Sequence, residues 1–114
     1  MNETCSPTYG LVDDLLELLT KSKSLHILLV LDRSARPLRF TDIKRQVNAA
    51  STTVSRRLKE LEDHRLMVRI SSKDDPEAHL YALTEDAKTL SPIMQSLYDW
   101  VEARGALALS RRRA

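Results

Sequence analysis

The sequence is poor in cysteine, glycine and aromatic residues, and each shortage excludes a class of protein. The one cysteine, Cys5, excludes an intrachain disulfide. The two glycines, Gly10 and Gly105, leave no glycine-rich loop that could cradle phosphates, so a nucleotide-binding motif is missing. Aromatic residues make up 4% of the chain, and we therefore expect a core built mainly from aliphatic side chains.

Long hydrophobic runs are missing as well. The apolar runs extend over only a few residues, whereas a membrane-spanning helix needs about 20. No basic and then apolar leader opens the chain. We therefore expect a cytoplasmic protein without a membrane partner.

The sequence also offers no convincing catalytic or metal site. Its histidines, His26, His64 and His79, match no usual spacing of metal ligands, even together with Cys5. His26 lies in an apolar run, where a hydrogen-bonded core histidine is expected. No nucleophile and base are placed for hydrolysis. We expect neither an enzyme nor a metal or other cofactor.

Basic residues are concentrated in the middle of the chain. Residues 33–73 contain eleven lysines and arginines against four aspartates and glutamates, although the whole chain has a formal net charge of only +2. The segments 1–32 and 74–103 on either side are acidic. A basic centre between acidic ends attracts a polyanion and limits indiscriminate binding. A chance clustering of charges on a solvated surface is the alternative, and charge alone does not decide.

Apolar spacing predicts helices before and within the basic centre. "LVDDLLELL" (11–19) gives a wide apolar face, and "SLHILLVLD" (24–32) gives a helix for the middle of the domain. "ARPLRF" is broken by Pro37 and offers a short extended piece. "FTDIKRQV" then restarts a helix of about two turns, for which Thr41 is the predicted N-cap.

The next predicted helix separates an apolar face from a basic one. Its apolar residues recur at helical spacing: Val54, Leu58 and Leu61. This spacing turns Arg56 and Lys59 to the opposite side of the helix. "MVRISS" and "HLYALT" alternate in polarity as half-buried strands do, so a β-hairpin follows. A last amphipathic helix extends to Arg104, with a kink or break expected at Pro92.

This order of elements is that of a winged helix-turn-helix domain. The predicted fold is mainly α with a small β-hairpin, with added N- and C-terminal helices for dimerisation. The sequence divides into a flexible segment over 1–10, one winged-helix domain over 11–104 and a disordered basic tail over 105–114.

The basic helix and the hairpin predict binding to double-stranded DNA. A major groove accepts one α-helix, and short hydroxyl side chains let that helix approach the base edges. The helix over 51–64 would enter the groove, and the wing over 67–83 would lie on the flanking backbone or minor groove. Arg56 is the candidate for a guanine edge, whereas Arg57, beside the buried face, suits a structural role equally well. The predicted DNA-binding residues are Thr41, Lys44, Ser51, Thr52, Thr53, Ser55, Arg56, Lys59, Arg69 and Lys73.

Two blocks of sequence resemble known regulators. "STTVSRRLKELEDHRLMVRI" resembles the recognition helix and first wing strand of winged-helix repressors, including the ArsR and MarR types. "YALTEDAKTLSPIMQSLYDWVE" is similar to the wing exit and C-terminal helix of the HxlR family. The resemblance covers about Leu25 to Glu102 and implies a homodimeric transcription regulator, expected to be a repressor, on a palindromic promoter site. The resemblance also implies that Cys5 senses oxidants or electrophiles; an ordinary N-terminal cysteine is the alternative. It is further compatible with control by a small-molecule or redox effector.

The apolar faces of the first and last predicted helices are wider than one small core requires. Left exposed, they would form a sizeable patch. Two recognition helices about 34 Å apart read successive major grooves, which gives a second reason to expect a dimer. The predicted homodimer interface contains Leu11, Leu15, Leu18, Leu97, Tyr98 and Val101. Burial of all six within a single chain is the alternative.

Two other functions fit the same elements. The protein could be an architectural DNA binder without strong sequence preference, or a winged-helix module that contacts other proteins through its apolar faces. The salt dependence of binding and the preference for a specific site separate these functions.

Overall fold

The computed structural model describes residues 6–75 and 77–113, with side chains as far as Gly105, and Cys5 lies outside the described residues. Five helices and three strands follow one another in this part of the chain: α1 (Pro7–Leu19), α2 (Ser24–Ser34), β1 (Leu38–Arg39), α3 (Phe40–Val47), α4 (Ser51–Asp63), β2 (Met67–Ser71), β3 (His79–Leu83) and α5 (Glu85–Arg113).

The three strands form one antiparallel sheet in the order β1-β3-β2. β2 and β3 are the predicted hairpin, in which Arg69 lies opposite Tyr81. The extended piece around Pro37 becomes β1, where Leu38 pairs with Tyr81 from the other side. The predicted fold class, mainly α with a small β-hairpin, is therefore confirmed, and β1 joins the middle of the hairpin to the body of the domain.

Each element contributes at least one aliphatic or methionine side chain to a single core. The buried hydrophobic residues of the described range are Leu18, Ile27, Leu28, Leu31, Leu38, Ile43, Val47, Val54, Leu58, Leu61, Met67, Leu83, Ala87 and Met94. No aromatic residue is among them, as the composition predicted. Burial of one such large side chain contributes about 1.5–3 kcal/mol, so the helices are held mainly by the faces they turn inward.

α1 begins at Pro7, inside the segment predicted to be flexible. The Ser6 hydroxyl accepts a hydrogen bond from the Thr8 amide at 3.2 Å, and proline occupies the first helical position. Both features favour a helix start, because proline has no N–H to satisfy and the hydroxyl pairs one of the free amides. Residues 7–10, which lie in the segment predicted to be flexible, therefore form the first turn of α1.

α3 begins one residue before the predicted N-cap. Arg39 has the extended backbone of a cap, and its amide donates to the Asp42 carboxylate at 3.4 Å. Thr41 is consequently an exposed residue of the first turn, and its prediction as the N-cap is wrong. The helix ends at Asn48, whose left-handed backbone (φ 53°) turns the chain towards α4.

α5 passes through Pro92 without a break, so of the predicted kink or break, the break is wrong. The Ser91 hydroxyl donates to the Asp32 carboxylate on α2 at 2.6 Å instead of capping a new helix. This bond and the buried Met94 hold α5 against the domain on both sides of the proline. The helical geometry is interrupted at Gly105 (φ 65°, ψ −170°), a conformation that glycine adopts without steric cost.

The range 105–114, which was expected to be a disordered basic tail, begins at Gly105, where the helical geometry is interrupted. The backbone after it is helical to Arg113. Within the described residues, none of the helices has the length and apolar character needed to span a membrane.

Candidate nucleic-acid interface

α4 presents one face to the core and the opposite face to solvent. Val54, Leu58 and Leu61 are buried and fix the helix on the domain. The other sides carry the exposed residues Thr52, Ser55, Arg56 and Lys59, and Ser51 is exposed in the first turn. Thr53 is half-buried. The structure thus brings together five of the predicted DNA-binding residues on one accessible helix surface.

The first turn of α4 carries no side-chain cap. Ala50 has the extended backbone of an N-cap, and its carbonyl accepts from the Val54 amide at 3.0 Å, but its methyl group cannot accept a hydrogen bond. The first amides of the helix therefore have no side-chain acceptor at this end. Free amides at a helix N-terminus favour a nearby negative charge.

Arg57, the neighbour of Arg56, is turned inward to join α4 to the turn after α1. Its Nε donates to the Ser22 carbonyl at 2.8 Å, and its guanidinium donates to the Glu60 carboxylate at 2.9 Å. Lys21 contacts the same carboxylate at 3.4 Å. Only 12% of the Arg57 side chain is exposed. Of the two roles that the sequence left open for Arg57, the structure shows the structural one.

This ion cluster lowers the pKa of Glu60. Burial of the carboxyl group raises its pKa, but hydrogen bonds and positive charge from Arg57 and Lys21 outweigh that effect, so the pKa lies below the ordinary value of 4.5. Glu60 is therefore ionised near neutral pH and keeps both cations in place. The cluster fixes α4 relative to the end of α1.

The wing and α3 carry the other basic residues that were predicted to bind DNA. Arg69 on β2 and Lys73 beyond it are exposed, and Lys44 on α3 is half-buried. Within the described residues, the side chains of Arg56, Arg69, Lys73 and Lys44 make no ion pair. Unpaired cations exchange their counterions for phosphates without breaking a contact of the protein.

A notch separates the outer half of α4 from the wing. Six side chains that line the notch are Phe40, Ser55, Lys59, Glu62, Arg69 and Tyr81. Phe40 and Tyr81 are half-buried and pack on the core. The sequence analysis missed these two residues as part of the site. The alternating polarity of "HLYALT" is the sequence signal that could have identified Tyr81. It places this side chain on the inward face of the strand, where Tyr81 is the cross-strand partner of Arg69.

Comparisons with known proteins agree with this architecture. The profile of the HxlR-like helix-turn-helix family matches residues 18–107. The chain belongs to the HxlR-like helix-turn-helix family. It is similar to an HTH-type transcriptional regulator of Halalkalibacterium halodurans, with 39% identity over 66 residues. That match covers 57% of this chain and 58% of the relative.

Solved structures of transcription regulators have the same fold. A possible HxlR family transcriptional factor from Thermoplasma volcanium has a TM-score of 0.70 and 27% identity, over 90% of this chain and 84% of that one. The reduced form of the transcriptional regulator YodB from B. subtilis has a TM-score of 0.69 and 27% identity, over 83% of this chain and 89% of that one. These relatives are named as regulators of transcription, in agreement with the expectation that the chain is not an enzyme.

The two terminal helices of this HxlR-like chain leave apolar side chains in solvent. Four of the six residues predicted for a dimer interface are exposed: Leu11, Leu97, Tyr98 and Val101. Leu15 is half-buried. Leu18 is only 3% exposed and belongs to the core of the single chain, so little of its side chain is available to a second copy. The helical stripe of α1 thus turns Leu18 inward and leaves Leu11 outside.

α5 also carries two exposed aromatic residues that stack with arginines. The Arg33 guanidinium of α2 lies 4.0 Å from the centre of the Tyr98 ring, and the Arg104 guanidinium lies 3.6 Å from the Trp100 ring. Such cation–π contacts contribute about 0.5–1 kcal/mol at exposed sites. They hold Tyr98 and Trp100 on the surface of the helix.

No group of three or more histidine, cysteine or acidic side chains in the described residues is placed to hold a metal ion. His26 is exposed, so its prediction as a core residue is wrong; the α2 face that enters the core is formed by Ile27, Leu28 and Leu31. Partial burial of the imidazole and the charge of Lys23 lower the pKa of His26.

Proposed function

We propose that the chain is a sequence-specific, DNA-binding transcription regulator that inserts α4 into the major groove. The observation that carries this proposal is the exposed face of α4, in which hydroxyls and arginine project away from a buried aliphatic face. A helix of this kind can approach base edges while its other side stays fixed to the domain. The HxlR-like family supports the same function.

The exposed residues divide into base-reading and phosphate-binding groups. Arg56 is placed to donate two hydrogen bonds to a guanine edge. The short side chains of Ser51, Thr52, Thr53 and Ser55 allow a close approach of the helix to the bases. Contacts to phosphates position a protein on the duplex without selecting sequence. We assign that role to Thr41, Lys44, Lys59, Arg69 and Lys73.

The regulator would act as a homodimer through α1 and α5. Leu11 is 67% exposed and Trp100 is 57% exposed, and exposed apolar side chains of this size on the two terminal helices favour association. Two copies would present their α4 helices to successive major grooves of a palindromic site. By occupying a promoter, the dimer would block transcription in the cytoplasm as a repressor.

Sedimentation equilibrium tests the dimer. We expect the wild-type chain to be a dimer at micromolar concentration. Leu97→Glu, which places a charge on the exposed face of α5, should shift it to the monomer with unchanged helix content. Lys88→Glu, an exposed change outside the proposed interface, is the matched control. A monomeric wild-type chain would contradict the dimer.

Fluorescence anisotropy on a selected operator duplex and on random duplex tests DNA binding. We expect log K to fall linearly with log salt concentration, by about 0.9 per phosphate contacted. The operator should be preferred by roughly 10³-fold or more over random DNA. Arg56→Ala should weaken operator binding by about 1–3 kcal/mol and relax the base preference at one position. An equal affinity for both duplexes would favour the architectural binder, and no salt-dependent binding would favour the protein-interaction module.

Control of this binding through Cys5 stays a prediction, since that residue lies outside the described range. YodB has solved structures of a reduced form and of a diamide-treated form. If Cys5 is a sensor in this chain, diamide should change its affinity for the operator, and Cys5→Ser should remove that response. An affinity that diamide leaves unchanged would leave Cys5 as an ordinary cysteine.

A further inference from the structure

The notch between α4 and the wing lies where a duplex bound in the proposed way must place one of its strands. In double-stranded DNA, the major groove and the neighbouring minor groove are separated by a single sugar-phosphate strand. If α4 occupies the major groove and the wing lies over the adjoining minor groove, that strand crosses the gap between them. The gap is the notch lined by Ser55, Lys59, Arg69 and Tyr81.

We propose that this notch binds one backbone phosphate, held jointly by Lys59, Arg69 and the Tyr81 hydroxyl. The inference rests on the proposed function and deepens it, because it names a single shared phosphate and adds a residue that charge patterns do not reveal. One phosphate fixed between helix and wing sets the depth of α4 in the groove, and therefore the register in which its side chains meet the bases.

The charges of the notch suit a phosphate ester. Arg69 makes no ion pair within the described residues, and Lys59 reaches Asp63 only at 4.0 Å with both side chains well exposed. An exposed pair of this kind is weak, so Lys59 is available to another anion. Glu62 is the one carboxylate among the residues that line the notch. Two cations against one carboxylate leave an excess of one positive charge, which matches the single charge of a backbone phosphate.

Tyr81 supplies a neutral donor at the same place. It lies opposite Arg69 in the β2–β3 register, so both side chains project from the same face of the sheet. The ring packs against the core, which fixes its position. Among the hydrogen bonds of the described residues, none involves the Tyr81 hydroxyl, whereas the hydroxyl of Tyr98 donates to Glu102 at 3.3 Å. A phenol held in this way can donate to a phosphate oxygen.

Salt titration of the full chain on a random duplex of about three helical turns, roughly 30 base pairs, tests the shared phosphate. If Lys59 and Arg69 neutralise the same phosphate, the double variant Lys59→Gln, Arg69→Gln should lower the slope of log K against log salt by about 0.9. Each single variant should lower it by less, because the remaining cation still neutralises that phosphate. Two separate contacts would instead lower it by about 1.8 in the double variant, and this result would overturn the proposal.

Tyr81→Phe gives the second readout. It removes only the hydroxyl and keeps the packed ring, so the protein should unfold at the wild-type temperature. We expect DNA affinity to fall about 3- to 10-fold on every sequence, with an unchanged salt slope because no charge is lost. Tyr9→Phe, a matched change at an exposed tyrosine of α1, should leave affinity unchanged. Wild-type affinity of Tyr81→Phe would overturn the notch as a phosphate site.

These outcomes separate the two proposals. Salt-dependent binding by the wild-type chain, together with a slope change of about 1.8 or a silent Tyr81→Phe, would leave the proposed function standing and remove the notch. No salt-dependent binding by the wild-type chain would overturn both.

Discussion

Replacing Arg57 with alanine should destabilise the protein, although the residue stands beside Arg56 in a basic segment. The change removes two charge-assisted hydrogen bonds, to the Ser22 carbonyl at 2.8 Å and to Glu60 at 2.9 Å. Hydrogen bonds to charged groups contribute about 1.5–3 kcal/mol each. Glu60 keeps Lys21 as a partner at 3.4 Å and is partly solvated, which offsets part of the loss. We expect the free energy of unfolding to fall by about 2 kcal/mol.

Thermal unfolding followed by circular dichroism measures this effect. A loss of about 2 kcal/mol should lower Tm by roughly 8 °C in a domain of this size. Arg56→Ala is the matched control, since Arg56 is exposed and makes no ion pair in the described residues. Its stability should stay within about 0.5 kcal/mol of wild type, while its affinity for the operator falls.

The two arginines should also differ in how they affect DNA binding. At a temperature where both variants are folded, Arg57→Ala should leave the salt slope unchanged, because the guanidinium is turned to the protein and neutralises no phosphate. The reasoning is refuted if Arg57→Ala unfolds at the wild-type temperature, or if it lowers the salt slope as a phosphate contact would.

Three further predictions concern the core and the ion cluster. Leu58→Ala should lower the free energy of unfolding by about 2–5 kcal/mol in urea titration, because it leaves a cavity beneath α4; a loss below about 1 kcal/mol would contradict the burial of this side chain. Ser24→Ala should raise the free energy of unfolding by about 1 kcal/mol, since the hydroxyl is fully buried and has no hydrogen-bond partner among the described residues; a destabilised variant would reveal a partner. The pKa of Glu60 is lower in the folded chain than its ordinary 4.5, so the stability that it contributes is present above that pH and is lost as the pH falls through the folded pKa. Glu60→Gln should accordingly lose less stability than wild type as the pH is lowered from neutral to well below 4.5, and equal losses would show that the carboxylate does not contribute.

Long stretches with a regular apolar period could be assigned from the sequence. The spacing of Val54, Leu58 and Leu61 predicts both the existence of α4 and the face that it buries, and all three are buried in the structure. The hairpin followed from strand alternation and the polar turn between its strands. These features depend on local periodicity, which the sequence displays directly.

The errors occur where a tertiary contact overrides a local signal. Ser91 and Pro92 have the sequence of a helix start, but Ser91 is engaged by Asp32 from α2, 59 residues away. Leu11 and Leu18 are on the same apolar stripe, yet only Leu18 reaches the core, because the stripe is longer than the surface it packs on. Tyr81 was missed because the notch depends on the pairing of two strands and the tilt of a helix, which no single segment contains.

The central position of β3 has a consequence for how the wing can vary. Leu80 and Tyr81, in the middle of β3, pair with β1 on one side and with β2 on the other, so the hairpin is joined to the domain at these residues. Among the described residues between Ser71 and His79, none takes part in both pairings. In the proposed binding mode, lengthening or shortening the segment between Ser71 and His79 would change how far the protein reaches along a neighbouring groove without disturbing the core beneath α4. If the wing binds in this way, related chains can differ in the DNA shapes that they tolerate while keeping the same α4 surface.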